Sequence, residues 1–299
     1  PFMSCGARLP VYVLFAAIFF PGHSSVVIMG LYLLGVIIAI GVGLVLQRSL
    51  LPSAAAPGLV MELPPYRLPT ARGIGYQMWL RTRAFLQHAA SLILATTIAI
   101  WFLTAIPTGG RGTFADVAMV DSVFGRVSNA MVPVLEPLGF GTWESGGALI
   151  SGLVAKEVVV STMAQTYGAD SVIDEVVSST FLQDVGEIVT SFFAAIVDTI
   201  KAIPGLVGIN LSAEGEEAIP GLAGAIRASF TASSGGHAAA AGLAFMVFVL
   251  LYTPCMATVA AMRHELGTRW MWLSFIGQLV IAWLVAFIVF RLGVWVGGV

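Results

Sequence analysis

From Ser24 to Leu46 the chain runs for 23 residues without a charge. About 20 mostly apolar residues are enough to cross the hydrocarbon core of a bilayer as a helix. Backbone in lipid has no water to bond, so a run of this kind has to be helical or part of a closed barrel. Three further runs are comparable. Phe85 to Ile106 carries only Gln87 and His88, both near its start. Ala238 to Met262 holds Pro254-Cys255 deep inside it, and Trp270 to Phe290 is the fourth. Trp270, Trp272 and Trp295 sit where an interfacial aromatic belt would. Leu9 to Phe20 is a shorter apolar piece, suited to the end of a span. Gly147 to Met163 is too short and too polar at its centre for a simple span, and reads as a broken or re-entrant element. The chain is 58% hydrophobic and 10% charged, against about 25% charged in a soluble domain. The expectation is an all-α polytopic membrane protein with about five to seven transmembrane or re-entrant helices. A net charge of −2 gives no case for nucleic acid as a partner.

The links between the runs differ in charge. Arg48, Arg67, Arg72, Arg81 and Arg83 face a single acid, Glu62, between the first two runs. Positive-inside bias puts that link in the cytoplasm. Glu62-Leu63-Pro64-Pro65-Tyr66-Arg67-Leu68-Pro69 reads as a rigid extended piece, because consecutive prolines forbid helix. Tyr167 to Gly236 carries nine acids against Lys201 and Arg227, which suits the external side, and Ile188 to Gly208 within it could form a further helix. The basic link Arg263 to Arg269 looks cytoplasmic. A re-entrant Gly147 to Met163 reconciles these sides, and so does an extra crossing near Val117 to Phe140; the sequence leaves both open. Gly293 and Gly297 form a GxxxG pair, a weak sign of close helix packing. The chain opens on Pro1-Phe2-Met3, with neither an initiator methionine nor a secretory signal, and reads as a fragment of something longer.

The residues that could carry chemistry are few. Cys5 and Cys255 are the only cysteines, and each stands beside a helix-breaking Gly or Pro. Thiolate suits iron, copper or zinc and poorly suits magnesium or calcium. A break at membrane depth also frees backbone carbonyls, and irregular backbone survives there only where protein buries it or it lines a cavity. The competing reading is a buried, inert thiol. Lys156-Glu157 lies in the middle of an apolar element, and an ionisable residue within a membrane points to function by default. On a helix the two would point about 100° apart, so each needs its own partner; a pathway or gate role competes with that of an interfacial anchor. Arg8 would repel a cation, so it is expected to position a loop or serve the gate rather than ligate. His264-Glu265 does not extend to a zinc-protease motif, because Thr268 fills the final position. A P-loop and a nucleophile elbow are both absent from the sequence.

Four stretches, in order along the chain, resemble the membrane part of the bacterial ferrous iron transport protein B family. They are Pro1-Phe2-Met3-Ser4-Cys5-Gly6-Ala7-Arg8-Leu9-Pro10-Val11-Tyr12, Met61 to Pro69, Ser151 to Thr162 with its Ala155-Lys156-Glu157 core, and Phe245 to Thr258 with Tyr252-Thr253-Pro254-Cys255. Pro137-Leu138-Gly139-Phe140 adds to the match, and Tyr167 to Gly236 is poorly covered. The resemblance implies a Gate-type architecture and Fe²⁺ transport across the bacterial inner membrane. It also implies an N-terminal GTPase domain that this chain would lack, so no enzyme activity, resident cofactor or GTP site is expected here. Under it, Cys5 and Cys255 match cysteines that guide Fe²⁺ transiently. Lys156, Glu157 and Arg8 become pore or gating residues. The expected division is 1–46 for the end of a first Gate element and the following helix, 47–84 for the cytoplasmic link and 85–166 for a second Gate element. An acidic region over 167–236 and a C-terminal two-helix hairpin over 237–299 complete it. Expected partners are the lipid bilayer, Fe²⁺, the GTPase domain and the small cytoplasmic ferrous iron transport protein A, with a homo-oligomer left open. The alternatives are a Gate-fold transporter of organic solutes such as nucleosides, and a non-transporting membrane scaffold.

Overall fold

Ten α-helices form the described part of the protein, and its structure here is a computed structural model. The described residues are 2, 4–49, 70–108, 114, 117–156, 158–168 and 220–296, with the side chains of 84–93, 220 and 257 left aside. Glu157, the proline-rich piece around Pro64-Pro65, residues 169–219 of the acidic region and Gly297 lie outside them. The helices are α1 (Leu9–Phe19), α2 (Ser24–Ser49), α3 (Ala71–Ala105), α4 (Val123–Leu135), α5 (Trp143–Val154), α6 (Val158–Gly168), α7 (Pro220–Ser233), α8 (Ala238–Leu251), α9 (Met256–Leu266) and α10 (Thr268–Val296). The all-α expectation holds: the only β feature among the described residues is an isolated bridge between Pro107 and Ser122.

The expected count of five to seven transmembrane or re-entrant helices is not confirmed. Among the described residues two helices are long and apolar enough to cross a membrane, α2 and α10, or three if the bent pair α7–α8 counts as one. In α2 and α10 the apolar side chains face outward, with 11% and 17% of the apolar window buried. That is the arrangement of a helix solvated by lipid. Trp270 and Trp272 at one end of α10 and Trp295 at the other are exposed, as interfacial anchors are. The inward face of α10 is a single row, Met271, Gln278, Ala282, Ala286 and Phe290, at helical spacing.

The run from Ala238 to Met262 is not one helix. Helix α8 stops at Leu251, Tyr252 turns to extended backbone, and α9 starts only at Met256. Pro254 is the local cause, since proline has no N–H to donate and disfavours helix in the residue before it. At its other end α8 meets α7 at 99°. The corner is made by Gly235 and Gly236 at φ +66° and +101°, a left-handed conformation that glycine adopts without steric cost.

Helix α8 is the centre of the fold. It is apolar all round and buried from Ala244 to Leu251, as expected of a helix with no polar face. Its most extensive partner is α10. Lipid is as apolar as leucine, so helices in it associate through close packing at small residues. The contacts have that character. A Cβ added at Gly293 of α10 would come 2.7 Å from Ala240 Cβ, one at Gly242 of α8 would strike the Phe19 ring, and one at Gly35 of α2 would come 3.1 Å from the Phe2 carbonyl. Phe245 stacks on Phe15 at 4.6 Å and meets Phe140 and Phe230 edge-on at 5.2 and 5.8 Å. This aromatic cluster ties α1, α7, α8 and the turn before α5 into one core. Helices α5 and α6 form a second broken element, interrupted at Ala155–Lys156, where Ala155 is extended. The Ser151 and Thr162 hydroxyls bond across that break at 2.8 Å.

Candidate functional site at two helix breaks

The two interrupted elements meet. Lys156 sits at the α5–α6 break rather than on a helix, and is 2% exposed. Its Nζ donates to the carbonyls of Val249 at 3.2 Å and Tyr252 at 3.5 Å. It also lies 3.8 Å from the centroid of the Tyr252 ring. Both carbonyls are available for the same local reason. The last carbonyls of a helix have no intrahelical partner, and the Pro254 break ends α8 before the next N–H groups can reach them. The Phe248 carbonyl alone in this turn is taken by the Tyr252 N–H, at 2.8 Å. A lysine beside the negative end of a helix dipole gains further from the field of that end. The Tyr252 ring is held in turn by Phe248, stacked 5.7 Å away. Gly152 of α5 lets the ring approach, since a Cβ there would come 2.6 Å from Tyr252 Oη and would also strike a Val159 methyl.

The other sequence candidates gather around this point. Cys255 follows the break and caps α9; it is half-buried, with Sγ 3.5 Å from Thr258 Oγ1. Cys5 caps the short turn Gly6–Arg8 that leads into α1, and its side chain is exposed. Arg8 is buried at 2% exposure. Arg8, Cys5 and Cys255 all lie within electrostatic range of Lys156, and the same three act on Tyr252. The middle of the chain thus meets the end of α8 through Lys156, with Cys5 and Arg8 of the first ten residues and Cys255 of the last fifty within electrostatic range. Glu157 lies outside the described residues. Among the described residues, no three His, Cys, Asp or Glu side chains come together as a metal-holding group.

Sequence reasoning anticipated freed carbonyls at the breaks but not their occupant. It also passed over Tyr252 and Thr253. Both are buried, and Tyr252 Oη and Thr253 Oγ1 have no hydrogen-bond partner among the described residues. The available signal was their position just before a proline in an apolar run, where backbone and hydroxyl oxygens accumulate without donors.

Comparison with known proteins agrees with this architecture. The family model for the ferrous iron transport protein B C terminus matches residues 28–81, and the Gate model, described as nucleoside recognition, matches residues 86–269. A protein of Porphyromonas gingivalis (strain ATCC BAA-308 / W83), named as an Fe(2+) transport protein A/Fe(2+) transporter FeoB fusion protein, is 32% identical over 98% of this chain and 34% of its own length. Proteins named Fe(2+) transporter FeoB are 33% identical in Staphylococcus aureus (strain MSSA476), over 98% of this chain and 35% of theirs, and 32% identical in Legionella pneumophila (strain Paris), over 95% and 37%. The chain therefore spans about a third of the length of the curated relatives it matches. No solved structure matches it. With a Gate region over more than half its length, a preceding match to the C-terminal model and relatives aligned almost end to end, the chain belongs to the ferrous iron transport protein B family and carries its C-terminal and Gate portions.

Proposed function

We propose that this chain forms part of the ion path of a ferrous iron transporter, moving Fe²⁺ across the bacterial inner membrane as a multi-pass membrane domain. The observation that carries this reading is the meeting of two broken helical elements beside Cys5 and Cys255, around a buried lysine that bonds freed carbonyls. A transport site has to bind strongly enough to admit an ion and weakly enough to release it. Thiols and carbonyls presented at helix breaks meet that condition better than a closed four-ligand cage. In this reading Fe²⁺ is cargo, and Cys5 and Cys255 are transient ligands. Lys156, Glu157 and Arg8 act in the pore or its gate, and the chain itself is not an enzyme. GTP binding and hydrolysis belong to another domain of the parent protein. Ferrous iron transport protein A is the expected cytoplasmic partner, a reading supported by the fused Porphyromonas gingivalis relative. The same reading keeps the five-part division of the chain and a homo-oligomer as an open arrangement.

A second reading, transport of a nucleoside-like organic solute, is favoured by the Gate match. One experiment separates the two. Anaerobic uptake of radiolabelled Fe²⁺ is measured in cells lacking their own ferrous transporter. These cells express the full-length parent with this segment intact or with Cys5→Ser and Cys255→Ser. A sharp fall in the double variant at equal membrane abundance is expected. Uptake retained by that variant removes the cysteines from the path, and no uptake with the intact protein overturns the iron assignment in favour of an organic solute.

A further inference from the structure

We propose that the Lys156 nitrogen is a placeholder in a cation seat at the C-terminal end of α8, which the transported divalent metal ion occupies only when Lys156 withdraws. This inference rests on the ion-path reading above and adds a competitor to it. Among the described residues, the hydrogen-bond and ring partners of Nζ are electron-pair donors: the Val249 carbonyl, the Tyr252 carbonyl and the face of the Tyr252 ring. Carbonyl oxygens are the groups that replace the hydration shell of an ion inside a membrane protein. At the break Tyr252 and Thr253 carry two more oxygens, Tyr252 Oη and Thr253 Oγ1, on residues 3% and 0% exposed and without a hydrogen-bond partner among the described residues. A buried hydroxyl left unpaired is costly to the fold. Both oxygens lie beyond hydrogen-bond reach of Nζ, on residues that adjoin the carbonyl-lined seat. Cys255 follows two residues after Thr253, its thiol 3.5 Å from the Thr258 hydroxyl. Oxygen donors with a neighbouring thiol suit a divalent transition-metal ion of intermediate softness.

The side chain can leave without the backbone. Lys156 lies in the break after the extended Ala155, where its carbonyl accepts from the Val159 N–H at 3.3 Å and starts α6, so it withdraws by rotation about its side-chain bonds. Its flexible four-carbon stem delivers a single nitrogen to the seat. A tethered group of this kind competes at an effective concentration in the millimolar range. It keeps the carbonyls satisfied while no ion is present and lowers the apparent affinity of the seat when one arrives.

The test uses the full-length parent purified in detergent, with Mn²⁺ as the probe and free Mn²⁺ read by electron paramagnetic resonance. Lys156→Met keeps the length and apolar bulk of the stem and removes the competing nitrogen. Mn²⁺ is expected to bind about tenfold more tightly than in the wild type, the gain that corresponds to Lys156 filling the seat about nine-tenths of the time. Adding Thr253→Val is expected to take back that gain. A folded Lys156→Met protein that binds Mn²⁺ no better than the wild type overturns the proposal and leaves Lys156 as a structural cap of α8. If Lys156→Met does not fold, Thr253→Val alone decides. Its hydroxyl has no partner among the described residues, so thermal stability should hold while radiolabelled Fe²⁺ uptake falls, and unchanged uptake overturns the seat. The Mn²⁺ measurement is independent of transport. A gain in binding with no Fe²⁺ uptake by the wild type would sink the iron reading and keep the seat, whereas normal uptake with no gain in binding would sink the seat alone.

Discussion

Gly152→Ala offers the sharpest check on the packing that shapes the site. Inside an ordinary helix, Gly→Ala stabilises by about 1 kcal/mol, because glycine loses more backbone freedom on folding. At Gly152 that gain meets a wall: the new methyl would overlap a Val159 methyl and stand 2.6 Å from Tyr252 Oη. Val159 is fully buried and Tyr252 is 3% exposed, so neither has free space to move into. Overpacking of this kind costs about 1–3 kcal/mol, and the net expectation is a loss on the order of 1–2 kcal/mol. Gly224 of α7 is the internal control. It is a helical, exposed glycine with nothing within 4 Å of its added Cβ, so Gly224→Ala should raise stability by up to about 1 kcal/mol. The assay is thermal unfolding of the full-length parent in detergent, followed by tryptophan fluorescence, for wild type, Gly152→Ala, Gly224→Ala and Gly152→Ala/Val159→Ala. Trimming Val159 should restore part of what Gly152→Ala loses, since one of the two obstructing groups is then gone. Gly152→Ala should also displace the Tyr252 ring from Lys156 and lower Fe²⁺ uptake. Equal Tm shifts for Gly152→Ala and Gly224→Ala, or a Gly152→Ala protein more stable than the wild type, would refute the close approach of α5 to Tyr252.

Two further expectations concern the breaks. Ser151→Ala should destabilise by about 1–3 kcal/mol, because it strands the Thr162 hydroxyl that now bonds Ser151 Oγ at 2.8 Å; the Ser151→Ala/Thr162→Val pair should cost less than Ser151→Ala alone in the same unfolding assay, and strict additivity would remove the bond from the account. Cys5 is exposed and Cys255 half-buried, so a maleimide added to single-cysteine variants of the full-length protein should label Cys255→Ser, which keeps Cys5, faster than Cys5→Ser; the reverse order would contradict the placement of both thiols.

Much of the secondary structure was legible in the sequence because its causes are local. A run without charge has to be helix in lipid, and α2 and α10 follow directly. Pro254 cannot continue a helix, and the polar centre of Gly147 to Met163 marks the second interruption, so both breaks were visible in principle. What misled was the equivalence of apolar runs. Helix α8 is as uniformly apolar as α2, and the sequence gives them the same appearance. Yet α2 faces outward, whereas α8 is enclosed by α1, α2, α7 and α10. Hydropathy reports only that a side chain avoids water, and both lipid and protein satisfy that.

The sequence by itself determined that the chain is helical, that it has runs suited to a bilayer, and that thiols and ionisable groups stand at places where helices stop. Those conclusions depend on composition and on the chemistry of single residues. Which groups meet was decided only by the tertiary structure. Lys156 finds its carbonyl partners 93 and 96 residues away, and no spacing or periodicity encodes so distant a pairing. It arises because Gly152 of α5 leaves room for the Tyr252 ring, and because a helix that ends inside the protein leaves carbonyls that only a donor from another element can satisfy.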